Sequence, residues 1–192
     1  MKTLKIKLTG TRKLIMHNSR LANPLDPWSI KKKQIKTGKN MTDEDRVNLM
    51  MVEARGGIYE TADGFVGIPS CAVYASFIGG AKNFKLGKEL KKSMRHDDVV
   101  QPILLNGEKV SVKDYLGHAE NIDYRSVGQQ KSRIMRARPV VKEGWVSIHE
   151  FELDEKVMDE RTLKPILDYA GDYVGILEMR PTIGTYKAEV VK

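Results

Sequence analysis

The stretch KSRIMRARPVVKEGWVSIHEFEL, Lys131 to Leu153, decides the fold, because it carries two consecutive strands. In its first half Arg136 and Arg138 alternate with Met135, Ala137 and Pro139, the period of two of an extended segment with one basic face. In its second half Trp145, Ser147, His149 and Phe151 alternate with Val146, Ile148 and Glu150, so His149 reads as a histidine on a strand face. Lys142-Glu143-Gly144 supplies the turn between the two.

Working outward, Leu4, Ile6 and Leu8 alternate with Lys5, Lys7 and Thr9, a half-buried strand. Ser70 is placed to cap a helix running to about Ala81, whose many small residues suit tight packing on a sheet. Leu163, Ile166, Leu167, Ala170 and Val174 have helical spacing, with Pro165 near the helix start, and Gly184 to Val191 is a last strand. The order strand, helix, strand, strand, helix, strand is that of an α+β, ferredoxin-like or RNA-recognition-motif-like βαββαβ core. The reading is one domain over residues 1–192, with two long insertions at about 17–66 and 96–130.

The insertions carry local signals of their own. Trp28 to Gln34 reads as a short helix broken at Thr37-Gly38. Thr42 is an N-cap with Asp43, Glu44 and Asp45 in the first turn, and Gly56-Gly57 ends that helix. Asp63-Gly64 and Asn106-Gly107 mark hairpin turns. Tyr115 to Gln130 has little periodicity.

Composition is that of a globular chain of 192 residues, with 41% hydrophobic and 30% charged residues. Cys71 is alone, which excludes an intramolecular disulfide and a four-cysteine zinc site and fits a cytoplasmic setting. No stretch approaches the roughly 18 apolar residues that span a bilayer, and the N-terminus lacks the apolar block of a signal peptide, so no membrane partner is expected. Lys plus Arg number 33 against 25 Asp plus Glu, a formal charge of +8 that favours a polyanionic partner.

Catalytic signatures are missing: there is no Walker loop, GxSxG or HExxH, and His17, His96, His118 and His149 are scattered. Cys71 beside a helix start reads as a small buried residue, and Asp97-Asp98 as a solvated loop. No catalytic residue, metal or cofactor is assigned. The basic segments carry more. Phosphates need cations spaced along a groove, and bases need flat or apolar groups between them. Lys31, Lys32 and Lys33 follow Trp28. Lys82, Lys85 and Lys88 surround Phe84. Lys131, Arg133, Arg136 and Arg138 flank Met135. These ten cations are the candidate phosphate contacts, and Trp28, Phe84 and Met135 the candidate base contacts.

GFVGIPSCAVYASFIGGAK, Gly64 to Lys82, resembles the Ile-Pro-Gly-Ser-Ser-hydrophobic-Lys-Gly segment of the RAMP superfamily, the backbone subunits of CRISPR effector complexes and their phage-encoded relatives. Ile68 and Pro69 match, while Ser70, Cys71 and Ala72 stand where the family has glycine and serines. LIMHNSRLANPLDPW falls where the superfamily has a loop after its first strand, and GILEMRPTIGTYKAEV is similar to its C-terminal glycine-rich signature, with Gly175, Arg180 and Gly184 retained. The resemblance implies an extended Ile-Pro leading into the first core helix. It also implies a thumb-like insertion, here about 17–66, and copies stacked along a single strand. Some subunits of type III complexes cut RNA with an aspartate in the loop after the first strand, where this chain has Asp26.

The function expected is binding of single-stranded DNA or RNA by a self-assembling, non-catalytic protein. Its setting would be phage DNA metabolism or CRISPR-like interference, in the host cytoplasm if the chain is phage-encoded. The alternatives are a metal-assisted ribonuclease using Asp26, which between Pro24 and Pro27 also reads as a turn former, and a structural or scaffold protein. Unpaired charge is costly to bury, so the face with Arg136 and Arg138 is either solvated or paired with an anion; on the leading reading, replacing both by Ala weakens binding without disturbing the fold.

Overall fold

The computed structural model describes residues 1–35, 40–129 and 132–191. Thr37-Gly38 and Lys131 therefore lie outside the described residues. In chain order the first elements are β1 (Lys2–Gly10), β2 (Leu14–Ile15), a 3-10 turn (Ser19–Ala22), α1 (Pro27–Gln34), α2 (Asp43–Gly57), β3 (Gly67–Pro69), α3 (Ser70–Asn83), α4 (Gly87–Ser93) and β4 (Met94–Arg95). There follow β5 (Val100–Pro102), β6 (Leu104–Leu105), β7 (Glu108–Lys109), α5 (Val112–Leu116), a 3-10 turn (Ala119–Asn121), β8 (Ile122–Gln129) and β9 (Ser132–Val141). The last are β10 (Val146–Leu153), α6 (Glu160–Tyr169), a π-helical turn (Ala170–Val174) and β11 (Tyr186–Val191). The protein is a mixed α+β chain with antiparallel sheets, and among the described residues no helix is long and apolar enough to cross a membrane.

The chain forms two compact units, Met1–Leu14 with Tyr59–Ser111 and Val141–Lys192, and Ile15–Ile58 with Val112–Val140. The second unit draws on both expected insertions.

In the first unit the sheet order is β11-β1-β10-β6-β7, with β4 also pairing β10. The period of two in β1 and β10 works as read: Leu4, Ile6, Leu8, His149, Phe151 and Leu153 are buried. On this face α3 contributes Val73, Phe77 and Ala81 and α6 contributes Leu163, Ile166 and Leu167, with the Phe77 and Phe151 rings 5.4 Å apart. The small residues of α3 serve helix contact more than sheet contact, since a Cβ on Gly80 would come within 2.6 Å of the Ile166 carbonyl oxygen. The opposite face carries Lys5, Lys7 and Lys187 against Glu150, Glu152 and Glu189, with Lys5–Glu150 at 3.6 Å and Lys7–Glu189 at 3.8 Å.

Four elements differ from expectation in pairing, capping or extent. The strand over Ser132–Val141 does not pair with the Trp145 strand. It belongs to a separate sheet, β2-β9-β8, and Met94–Arg95 pairs β10 instead. Alternation marks a strand but not its partner, and Gly144, at φ +84°, turns the chain equally well at a corner as in a hairpin. Second, Tyr115 to Gln130 contains a strand, β8, paired along its whole length with β9. Third, Ser70 makes no side-chain cap; its Oγ lies 3.0 Å from His149 Nδ1. Fourth, α6 starts at Glu160 behind an Asp159 cap, so Pro165 lies inside the helix.

Gly175 (φ +68°) and Gly184 (φ +79°) close the loop between the π turn and β11. Ile176 N–H donates to the Gly184 carbonyl at 2.9 Å, and a Cβ on Gly184 would sit 2.2 Å from the Ile176 oxygen, so both backbone angle and space require glycine.

In the second unit Thr42 and Asp45 form a reciprocal capping box at the start of α2. At the other end the Arg20 guanidinium donates to the carbonyls of Arg55, Gly56 and Ile58, satisfying the last turn. Ile15, Met16, Ala54, Ile58, Tyr115 and Ala137 are buried.

His149 is fully buried between Ser70 and Ser147, whose Oγ lies 3.0 Å from His149 Nε2. Ser147 Oγ–H donates to the Pro102 carbonyl, which leaves Nε2–H to donate to Ser147 and Nδ1 to accept from Ser70. Burial lowers its pKa to about 4 from the ordinary 6.5. A histidine depressed in the folded state costs stability as pH falls below its unfolded pKa. Lowering pH from 7 to 5 should therefore cost about 2 kcal/mol. Urea unfolding should show that loss in the parent and a clearly smaller one in His149→Asn.

Candidate nucleic-acid interface

Two of the ten candidate cations are engaged by a buried acid. Glu53, on α2, is only 3% exposed. Its Oε1 accepts from Lys32 Nζ of α1 at 2.6 Å and from Arg136 Nη1 of β9 at 2.6 Å, and its Oε2 accepts from the Ala137 N–H at 2.9 Å. Burial alone would raise its pKa. The hydrogen bonds from Lys32, Ala137 and Arg136 outweigh burial and hold the carboxyl below its ordinary value. Lys32 and Arg136 thus tie α1, α2 and β9 together, and Arg136 is not on a freely solvated face. Arg138 lies on the same side of β9 and is half-buried.

Trp28 is also engaged. It packs on α2 at Gly56, with Lys31 Nζ 4.4 Å and the Arg55 guanidinium carbon 5.1 Å from its ring centre. Lys33 is exposed. Asp26 caps α1, accepting from the Trp28 N–H at 2.8 Å, which is the turn-forming role open to it in sequence. Among the described residues there is no group of three His, Cys, Asp or Glu that could hold a metal ion. Cys71 is exposed, not buried, and partial desolvation, then Asp98, push its thiol above the ordinary value.

The other face of the β8–β9 hairpin is buried at Ala137 and Pro139 and opens toward Met135 and Arg133. Met135 is 47% and Tyr124 45% exposed, and they share that face with Arg133, whose Nε donates to Ser126 Oγ at 3.1 Å. Tyr124 was not among the candidates, although its place one face-step from Met135 follows once β8 is recognised as a strand.

The densest open basic surface is in the first unit. Lys82, Lys85, Lys88, Lys91, Lys92 and Arg95 are all exposed, with Glu89 the single acid between Lys82 and Arg95. Phe84, at the corner between α3 and α4, is 40% exposed. The corner is a Schellman turn: Leu86 N–H donates to the Ala81 carbonyl and Lys85 N–H to that of Lys82. Lys85 occupies its left-handed position, φ +60°, where glycine is the usual resident.

From Phe84 a run of rings leads across the surface. Tyr169, the last residue of α6, meets Phe84 edge-on at 5.8 Å, and Tyr173, four residues further on, lies 4.8 Å from Tyr169. Tyr173 is 65% exposed and forms one wall of a cleft of about 550 Å³. Arg12, Lys187 and Asp172 contribute charge to that cleft, Lys187 being bound to Asp172, and Thr182 lies on the Gly175–Gly184 loop. Tyr169, Tyr173, Arg12 and Lys187 escaped the sequence reading because they come together only through the packing of α6 on α3 and the end of β1.

No protein-family model matches the chain, and no curated protein matches it. Its activity must be read from this geometry.

The Glu53 cluster makes its own prediction. Arg136→Ala leaves a buried carboxylate with one cation fewer and should destabilise the protein by about 1 to 3 kcal/mol. Arg133→Ala, on the open face, should stay within about 0.5 kcal/mol of the parent. Chemical denaturation of the two variants checks both values.

Proposed function

We propose that the protein is a non-catalytic binder of single-stranded nucleic acid. The strand follows the lysines of the α3–α4 corner, stacks on Phe84, Tyr169 and Tyr173, and enters the Arg12–Lys187 cleft. The observation that carries this reading is the unbroken run of three contacting, solvent-reaching rings between the exposed lysines of α3 and α4 and a cleft. Stacking platforms flanked by cations suit single strands, because every base offers a flat face and every linkage a charge. The sheet's solvent face supports the same choice of site by contrast: its cations stand among Glu150, Glu152 and Glu189, and β1, β10 and β11 present no aromatic residue on it. The expectation that strand docking uses an open sheet therefore moves to the helix corner.

The core on which this surface sits is ferredoxin-like on our reading. The support is the strand order β11-β1-β10-β4, with α3 between β1 and β4 in sequence and α6 between β10 and β11. Met94–Arg95 then plays the second strand. Ile68-Pro69 is extended and runs straight into α3, as the RAMP resemblance implies. The Gly175–Gly184 loop walls the cleft at the position of the family's glycine-rich signature.

Lys85 offers a sharp test. A lysine held at φ +60° costs about 1 kcal/mol that glycine would not. Lys85→Gly should raise stability by up to about 1 kcal/mol while weakening binding. Fluorescence anisotropy with labelled single-stranded DNA, single-stranded RNA and duplex over a salt series measures the rest. Phe84→Ala and Tyr173→Ala should each weaken single-strand binding about tenfold. Lys82→Ala with Lys88→Ala should lower the salt slope by about 1.4. Unchanged affinity in the Phe84/Tyr173 double variant, or equal affinity for duplex, would overturn the proposal.

A further inference from the structure

The cleft beside Tyr173 carries an acid among its cations. Its volume is about 550 Å³, a size that takes one small ligand group, and Arg12, Asp172, Tyr173 and Lys187 stand in its walls. Asp172 lies in the π-helical turn after α6, and both of its carboxylate oxygens accept from Lys187 Nζ of β11, at 2.7 and 2.9 Å. Hydrogen bonding to Asp172 raises the Lys187 pKa, and the nearby Asp168 carboxylate and Tyr173 hydroxyl add to the rise. A double acceptor and a charged donor therefore stand together beside a ring that is 65% exposed. Arg12 is held by its Nη1, which donates to the Thr182 carbonyl at 2.9 Å. A guanidinium has further N–H donors, which suit a phosphate.

Hydrogen-bonding capacity decides what meets Asp172. An ionised carboxylate only accepts, so it repels a phosphate and suits N–H groups. A nucleic acid carries N–H groups on its bases alone, and single strands leave the Watson–Crick edges free to be read. Guanine presents two neighbouring donors there, N1–H and N2–H, with the O6 acceptor next to them. Adenine, cytosine, thymine and uracil each present one donor atom with an acceptor beside it, which sets a lone pair against the carboxylate. Each Asp172 oxygen keeps a lone pair after accepting from Lys187, enough for two parallel charge-assisted bonds.

We propose that this cleft selects a guanine base of the bound strand. The base stacks on Tyr173, its N1–H and N2–H donate to the Asp172 carboxylate, and its O6 accepts from Lys187 Nζ. Arg12 holds the phosphate of the same nucleotide. The inference deepens the single-strand reading above and rests on it.

Fluorescence anisotropy tests it with an all-thymidine DNA strand and the same strand carrying a single interior guanosine, adenosine or cytidine. An all-uridine RNA series with the same replacements shows whether the guanine is read in both nucleic acids, and a preference in either supports the proposal. Guanosine should tighten binding about tenfold over the other bases. Asp172→Asn should remove most of that preference, and Asp172→Glu should retain part of it. Asp168→Asn removes a nearby like charge that is not in the cleft wall, and should keep the parent's preference. Equal binding of all the strands by the parent, or a preference that survives in Asp172→Asn, would overturn the guanine site and leave the single-strand reading standing. If no strand binds, that reading falls and the guanine site falls with it.

Discussion

The second unit depends on one buried charge. Glu53 sits in the interior of the α1–α2–β9 contact, and a carboxylate there is tolerable only if its oxygens are filled by donors. Lys32, Arg136 and the Ala137 N–H fill them. This sets where α1 lies on α2 and where β9 passes both. It also decides which basic residues are free to meet a partner. Two of the most arginine- and lysine-rich segments of the chain each give up one cation to this site, and a third cation, Lys31, together with Arg55, is drawn over the Trp28 ring. A net charge of +8 therefore overstates what these segments offer to a polyanion.

The first unit follows a different rule, in which the polar partner is neutral. His149 is buried on the helix-covered face of the sheet, where burial disfavours its charged form and two serines satisfy both ring nitrogens. That relay also explains why Ser70 does not cap α3: its hydroxyl points into the core. The opposite face of the same sheet sets lysines beside glutamates, with Lys5–Glu150 and Lys7–Glu189 as exposed ion pairs. At the α3–α4 corner five exposed lysines meet a single acid, Glu89. There the helix termini and the Schellman turn fan lysines outward, and the end of α6 brings tyrosines beside them.

Left-handed backbone has two different causes in the first unit. Lys85 takes that conformation beside Phe84 to close the Schellman turn, at a cost that glycine would not carry. Gly175 and Gly184 are the opposite case. Their conformations are demanded by the close approach of two backbone segments, and that approach shapes one wall of the cleft.

Sequence alone settled what is encoded over a few residues. The alternation of Leu4, Ile6 and Leu8, and of Ser147, His149 and Phe151, fixed two strands and their buried faces, because a period of two allows only one apolar side. Thr42 and its acids fixed the start of α2, and Asn106-Gly107 fixed the β6–β7 turn, since both signals act within one turn of chain. Tertiary structure decided the rest. It assigned the Ser132–Val141 strand to β8 instead of to the Trp145 strand, because hydrogen-bonding edges carry no label in sequence. It placed Glu53 opposite Arg136, 83 positions away, and so turned expected ligand contacts into internal ion pairs. It brought Tyr169 and Tyr173 to Phe84, because helix packing joins residues that no spacing in the chain connects.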